Sequence, residues 1–165
     1  MKRITFLASV IFFLASCNNK AEEPMVKDET STESFDLAAA KTAVENSNTA
    51  FENAFRSGDT ASLVNHYIKD AVIYPPEMEA IKTDEVPGCF GGFKRWGIAE
   101  LNLNATSVTG DADQLLELGT WEIFAADKSK IDHGKYMALW AKENGEWRIS
   151  HDIWNNSTPI PRATK

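Results

Sequence analysis

A histidine and an aspartate stand side by side, as His151 and Asp152, in the most strand-like run of the chain. Either side chain has the chemistry of a general base, and a carboxylate desolvated by an apolar wall acquires a raised pKa that suits proton transfer near neutral pH. We therefore take Asp152 as the first catalytic candidate and His151 as the second. The structural alternative is that Asp152 accepts hydrogen bonds from the backbone or from Arg148, and that His151 lies in an interface.

Alternation along a strand sends these two neighbours to opposite faces unless a bulge intervenes. The parity of the run predicts one face that contains Trp147, Ile149, His151 and Ile153, and a second face that contains Asp152 and Trp154. Both faces carry apolar bulk, so we expect both to be covered, one of them by helices.

Six further residues are candidates for contact with a ligand: Tyr74, Trp96, Glu117, Trp121, Tyr136 and Trp154. Tyr74 precedes two prolines at a strand end, where its hydroxyl would reach a cavity mouth. Glu117 lies among leucines, where a buried carboxylate is costly without a partner, so it is either functional or salt-bridged. The aromatic residues suit a pocket for a flat apolar molecule, and the alternative for each is ordinary packing in the core or an interface.

Other chemistries have little support in the sequence. No set of His, Asp and Glu residues has the spacing of metal ligands, so we predict neither a metal nor another cofactor. Neither a glycine-rich phosphate loop nor a serine nucleophile elbow is present. Cys89 stands between Gly88 and Phe90 with no histidine nearby in the sequence, which favours a buried, inert thiol.

The beginning of the chain resembles a bacterial lipoprotein signal. Lys2 and Arg3 precede an apolar run from Ile4 to Leu14, which is too short for a comfortable membrane span, and small residues then lead to Cys17. The resemblance implies a signal peptide over residues 1–16 and lipidation of Cys17. The alternative is an ordinary secretory peptide with an incidental cysteine.

Residues 17–34 are rich in Glu, Lys, Thr, Ser and Pro, which predicts a flexible tether. Cleavage before Cys17 would remove two basic residues and no acid, taking the formal charge from −7 to −9. Such a chain is a poor partner for nucleic acid. We expect the N-terminal lipid to hold it to a membrane of the cell envelope, facing the periplasm or the outside.

The rest of the sequence predicts a single α+β domain over residues 35–157 and a polar tail over 158–165. Helical spacing of apolar residues predicts a long helix over 35–56 and a short one over 61–67. A compact strand is predicted over 70–74, and a short irregular helix or mobile flap over 83–97. Four long antiparallel strands follow, over 101–109, 114–125, 132–142 and 147–154. A curved antiparallel sheet wrapped around the N-terminal helices would form a cone with a pocket.

At this point the sequence resembles a known superfamily. The segments that carry the resemblance are Asn48 to Phe51, Gly58-Asp59, Asp70 to Pro76, Glu117 to Gly119, Gly134 to Tyr136, Asn144 to Ile149 and Asp152 to Asn155. Together they look like the nuclear transport factor 2-like, or cystatin-like, superfamily, and are closest to its SnoaL-like members and the domain of unknown function 4440 group. The resemblance implies a cone-shaped α+β domain, usually dimeric through the outer face of its sheet. Members include isomerases, cyclases, dehydratases and hydrolases, and also non-catalytic binding domains.

Three functional hypotheses follow from these observations. The first is a membrane-anchored domain that binds a small apolar or aromatic molecule in its cone. The second is a cofactor-independent isomerase, cyclase, dehydratase or hydrolase with Asp152 or His151 as general base. The third is a structural dimer with a filled cone. A shared fold does not decide between them. The apolar outer face of the sheet favours a homodimer in all three.

Overall fold

The computed structural model describes residues 35–158. The predicted signal peptide, lipidation site and tether, and all but the first residue of the predicted tail, lie outside the described residues. The elements are α1 (Leu37–Ser57), α2 (Thr60–Leu63), a 3-10 turn (Val64–His66), β1 (Tyr67–Tyr74), β2 (Ile81–Lys82), a second 3-10 turn (Thr83–Glu85), α3 (Val86–Arg95), β3 (Glu100–Gly110), β4 (Gln114–Phe124), β5 (Lys130–Glu143) and β6 (Glu146–Asn156).

Capping residues fix both ends of the helix α1. The Asp36 carboxylate accepts hydrogen bonds from the backbone N–H groups of Ala38 and Ala39, and Gly58 ends the helix in the left-handed region with a φ of 77°. Its buried stripe consists of Ala40, Val44, Asn48, Phe51 and Phe55, which recur at helical spacing. The helix predicted over 35–56 is thus confirmed with small shifts at its ends, and its inward face carries one amide among apolar side chains.

The described strands form one curved, open sheet in the order β2-β1-β6-β5-β4-β3. Strand β1 runs parallel to β6, and the other neighbouring pairs are antiparallel. Asn144 and Gly145, both at positive φ, make the tight turn between β5 and β6. The helices pack in the hollow of the sheet, where Phe90 of α3 contacts Phe51 of α1 edge to face. The predicted α+β cone is confirmed.

A bulge in β6 decides which of its side chains face inward. Leu139 pairs with His151, but the next residue, Trp140, pairs with Ile149, so Ser150 is the extra residue on β6. The Ser150 hydroxyl donates to the Leu139 carbonyl at 3.0 Å, which fastens the bulge to its neighbouring strand.

The bulge corrects the predicted parity of this strand. Ile149 was expected on the face of His151, but it lines the inner cavity together with Asp152 and Trp154. His151 is exposed on the outer face. The prediction for Ile149 is wrong because one extra residue shifts everything that precedes it to the opposite face.

Strand β1 is longer than the predicted strand over 70–74. It begins at Tyr67, which was predicted to close the second helix, and Tyr67 pairs with Ile149 across the parallel ladder. A register shift between Tyr67 and Val72 interrupts that ladder. The Thr83 hydroxyl occupies the gap, accepting from the Ala71 N–H at 3.2 Å and donating to a carbonyl of the same strand. The Thr83 side chain therefore satisfies backbone groups of β1 where the ladder is interrupted.

The segment predicted as an irregular helix or a flap is more regular than its composition suggested. The 3-10 turn over Thr83–Glu85 leads directly into the ten-residue helix α3. Pro87 lies in the first turn, where its missing N–H costs nothing. Val86, Phe90 and Gly92 are its buried residues, and packing of this face offsets the low helix propensity of the glycines.

Candidate functional site

A cavity of about 390 Å³ lies between the inner face of the sheet and the helices α1 and α3. This volume suits a small organic molecule. Its walls are mainly apolar, and ten aromatic side chains contribute to them: Phe51, Phe55, Tyr67, Phe90, Phe93, Trp96, Trp121, Tyr136, Trp140 and Trp154. Its polar lining includes two carboxyl groups within the cone, those of Glu117 and Asp152.

These two carboxyl groups occupy one row across the inner face of the sheet. Glu117 on β4 pairs with Ala138 on β5, and Ala138 pairs with Asp152 on β6. Adjacent strands lie about 4.8 Å apart, so the two acidic residues start about 10 Å from each other at the backbone. Ala138 also lines the cavity, and its single methyl group adds little bulk between the two acidic residues.

Glu117 is fully buried and held by three neutral donors. Its Oε1 accepts from Asn48 Nδ2 and from the Tyr136 hydroxyl, both at 2.6 Å, and its Oε2 accepts from Trp140 Nε1 at 2.9 Å. Burial raises the pKa of Glu117, and the three donors oppose that rise. The expected salt bridge is absent among the described residues, since neutral donors take its place.

Asp152 has a sparser environment on the opposite side of Ala138. Its carboxylate accepts from the Tyr67 hydroxyl at 2.9 Å, and no arginine contacts it among the described residues. Burial raises its pKa to about 7; the Tyr67 hydrogen bond opposes this rise, and the charge of Glu117 adds to it. Asp152 therefore exchanges a proton near neutral pH while facing an apolar cavity, which is the property that the sequence analysis required of a general base.

A serine and a histidine form a second polar pair in the cavity wall. Ser47 Oγ lies 2.9 Å from His66 Nδ1, and both residues are half-buried. Burial, followed by the positive charge of Arg148, lowers the pKa of His66, so its imidazole is neutral at physiological pH. Without an oxyanion hole or a third group among their described contacts, the pair fits hydrogen bonding better than nucleophilic catalysis.

The structure brings five of the eight predicted site residues together around Asp152. Glu117, Trp121, Tyr136 and Trp154 line the cavity, and Trp96 stands at its rim with 72% of its surface exposed. The other two residues lie elsewhere. His151 is exposed on the outer face of the sheet, and Tyr74, which pairs with Ile153, is exposed outside the cavity lining. His151 and Asp152 face opposite sides of the sheet because the strand alternates regularly between them, the bulge lying before His151 at Ser150.

Close packing holds two of the aromatic walls in place. A side chain at Gly119 would collide with the Tyr136 ring, and one at Gly134 would collide with the Trp121 indole. Both rings therefore lie directly against glycine backbone on the neighbouring strand, and at Gly134 the Asn155 carbonyl would also block a side chain. The Trp121 N–H has no acceptor among the described residues and is closed off from solvent.

Sequence reasoning missed the partners that define the two carboxyl groups. Asn48 follows Val44 by four residues on the apolar stripe of α1, and a lone amide at such a position is a signal that was available. Tyr67 was missed because it was assigned to a helix, and the pairing of His66 with Ser47 spans 19 residues without any local pattern.

Residues 35–158 contain no group of three or more His, Cys, Asp or Glu residues that could hold a metal ion. Cys89 is half-buried, and burial, followed by the charge of Asp152, raises its pKa to about 11, so it is a thiol at neutral pH. Within the same residues, the helices are all too short or too polar to span a bilayer.

Comparison with family models and with curated proteins yields no match. Solved structures do match. An NTF2-like protein with a cystatin-like fold from Novosphingobium aromaticivorans gives a TM-score of 0.67 at 11% identity, over 75% of this chain and 86% of that chain. A protein of unknown function with a cystatin-like fold from Nostoc punctiforme gives 0.64 at 13% identity, over 75% and 96%. A ketosteroid isomerase-like protein from Erwinia carotovora atroseptica gives 0.59 at 18% identity, over 72% and 96%. Identities this low show the fold alone, and the chain has the NTF2-like, cystatin-like fold.

Proposed function

We propose that this domain binds a small apolar or aromatic molecule in the cavity of its cone. The observation that carries the proposal is the cavity itself: about 390 Å³ of space, walled by aromatic and aliphatic side chains, with the Asp152 carboxyl directed into it. A core that served stability alone would fill such a space, because each unfilled volume loses packing energy. An apolar ligand would restore those contacts, and the few polar groups would fix its orientation.

Native mass spectrometry of the protein, purified gently from its own host, tests this proposal. We expect a reproducible extra mass that disappears when the cavity is reduced. Ile123 lines the cavity, so Ile123→Trp should fill part of it and weaken ligand retention at least about tenfold. The matched control is Ile131→Trp, because Ile131 is 48% exposed and lies outside the cavity lining. Equal retention by both variants would contradict the proposal, and an empty wild-type protein would favour the structural hypothesis.

A second candidate function is supported by the pKa of Asp152, which burial raises to about 7. A cofactor-independent isomerase, cyclase, dehydratase or hydrolase needs a base of this kind against an apolar wall. Substitution of Asp152 by Asn separates this candidate from simple binding. An enzyme should lose most of its turnover while ligand binding is nearly kept, whereas a binding protein has no turnover to lose.

We also propose that the protein is a lipoprotein of the cell envelope, anchored through Cys17. The supporting features are those of the sequence: a basic start, an apolar run and small residues that end in a cysteine. The mass of the mature N-terminal peptide tests this, since lipidation adds acyl chains to Cys17. Cys17→Ser should leave the domain folded and release it from the membrane fraction.

The outer face of the sheet supports a proposed homodimer. Leu118, Met137 and Ile153 are neighbours across β4, β5 and β6, and each exposes between 38% and 49% of its surface. Such a row of exposed apolar side chains is costly in water and is covered when two copies meet across a two-fold axis. Sedimentation of the purified protein measures the state directly.

A further inference from the structure

The charges around the cavity are all of one sign. Four carboxyl groups line it, those of Glu77, Glu117, Asp132 and Asp152, whereas no lysine or arginine does so within residues 35–158. The remaining basic side chain in its wall is His66, whose pKa burial lowers. From this asymmetry we infer that the ligand is an organic cation, a protonated or quaternary amine on an apolar body, with Asp152 as its counter-ion. The inference rests on the proposed function and names its ligand class.

Asp152 is the acid that has free capacity for a ligand. The oxygens of Glu117 are already engaged by three donors, and its side chain is inaccessible to solvent. Asp132 accepts from Asn156 and Thr158 close to the end of β6. Asp152 has the Tyr67 hydroxyl as its side-chain partner, and a carboxylate has room for about four hydrogen bonds. Its unused oxygen surface faces the cavity.

Three aromatic rings of the cavity wall, those of Phe90, Phe93 and Trp154, form a cluster that begins next to Asp152 on β6. Trp154 follows Asp152 by two residues and therefore shares its face of the sheet. Its ring centroid lies 6.2 Å from that of Phe90 and 6.4 Å from that of Phe93, and the two phenylalanine rings are 5.4 Å apart. Faces of aromatic rings attract cations most strongly where water is excluded. A cluster of three rings beside a carboxylate is the arrangement that recognises substituted ammonium groups.

The same arrangement disfavours other ligand classes. An anion would enter a cavity that already holds like charges and would find no guanidinium or ammonium group among the described lining residues. A neutral apolar molecule would leave the Asp152 charge without a partner above neutral pH. The unpartnered Trp121 N–H, which would suit an acceptor, is closed off from the cavity by its own burial.

A fixed positive charge should also displace the proton of Asp152. The titratable groups that act on Asp152 come from four elements: Tyr67 on β1, Cys89 on α3, Glu117 on β4 and Tyr136 on β5. They carry no positive charge, so a bound cation meets no competitor there. Binding of a quaternary cation, whose own charge is independent of pH, should tighten as the pH rises through about 7, where Asp152 ionises.

The test uses the full chain and two probes of nearly identical shape, phenyltrimethylammonium and tert-butylbenzene, with binding measured by calorimetry or tryptophan fluorescence. At about pH 8 the cation should bind at least about tenfold more tightly than the neutral isostere, and this preference should fall several-fold at about pH 6. Asp152→Asn should abolish the preference and its pH dependence. The control is Asp113→Asn, which removes an exposed acid remote from the cavity and should change neither.

The outcomes separate this inference from the proposed function. Equal or tighter binding of tert-butylbenzene by the wild-type protein at about pH 8 would contradict the inference that the ligand is a cation. The proposal that the domain binds a small molecule would still hold. Binding of neither probe would overturn both. Should Asp152→Asn fail to fold, calorimetry of the wild-type protein in two buffers of different ionisation enthalpy replaces it. Net release of a proton on binding the cation near pH 7 supports the inference, and the absence of release overturns it.

Discussion

Replacement of Asp152 by Asn should stabilise this protein, and the gain should grow with pH. The substitution keeps the shape of the side chain and an oxygen that accepts the Tyr67 hydrogen bond, which is 2.9 Å long. It removes the carboxylate charge that burial in the apolar cavity penalises. A group retained for binding or catalysis is often a cost to the folded state, so the direction of this change bears on function.

The magnitude follows from the pKa. Asp152 has an ordinary value of 3.8 in the unfolded chain and a value of about 7 in the folded protein. Between these values the folded state binds more protons, so the free energy of unfolding falls by about 1.4 kcal/mol for each pH unit. The loss of stability from ionising the buried Asp152 is absent below pH 3.8 and complete above pH 7, where it reaches about 4 kcal/mol. Relative to wild type, Asp152→Asn should therefore gain about 3 kcal/mol between pH 5 and pH 8.

Urea denaturation followed by tryptophan fluorescence, with both proteins measured at these two pH values, gives the required difference. Only the change with pH matters, because any constant effect of the amide cancels. A difference that stays the same at both pH values, or that turns against the variant as pH rises, would refute the assignment of a raised pKa to Asp152. Asp113→Asn, at an exposed turn, serves as the control and should show no such trend.

Three further changes test the surroundings of the site. Glu117→Gln should destabilise the protein by about 2–4 kcal/mol at either pH, because the new amide N–H would face the N–H of Trp140; urea denaturation measures the loss. Gly119→Ala should cost about 1–3 kcal/mol and weaken ligand binding, since the added methyl group displaces the Tyr136 ring; the same titrations check both effects. Met137→Glu should turn the proposed dimer into a monomer in sedimentation experiments while leaving the fold unchanged by circular dichroism, and a persistent dimer would remove the outer face from consideration.

The fold could be predicted from the sequence because its signals are local and repeated. Apolar spacing placed α1 within two residues at its start and one at its end, and Asn144-Gly145 located the last hairpin. Each of the four long strands was predicted within a few residues of its place. Helix α3 was harder to predict from the sequence, because its glycines have a low helix propensity. Packing of Phe90 in the core outweighs that low propensity.

The site was less predictable, because single residues and long-range pairs determine it. The prediction of inward and outward faces assumes that a strand alternates without interruption. The bulge at Ser150 shifts that alternation in β6, and no glycine or other residue in the sequence marks its position. The Glu117 partners lie 69, 19 and 23 residues away along the chain. Periodicity identifies a buried acid but not the donors that satisfy it, because those donors come from other elements of the fold.

Glu117 and Asp152 differ in their hydrogen-bond partners, although they lie in one row across the sheet. Three donors converge on Glu117, which ties α1 to β4 and β5 and leaves no surface for a ligand. Asp152 accepts a hydrogen bond from one side-chain donor, and it lines the cavity. A carboxyl group with so few hydrogen-bond donors does not add to the stability of the fold. An Asn at this position would keep the hydrogen bond from Tyr67 without burying a charge. The presence of an acid at 152 is therefore best explained by what enters the cavity, and a cation relieves its cost directly.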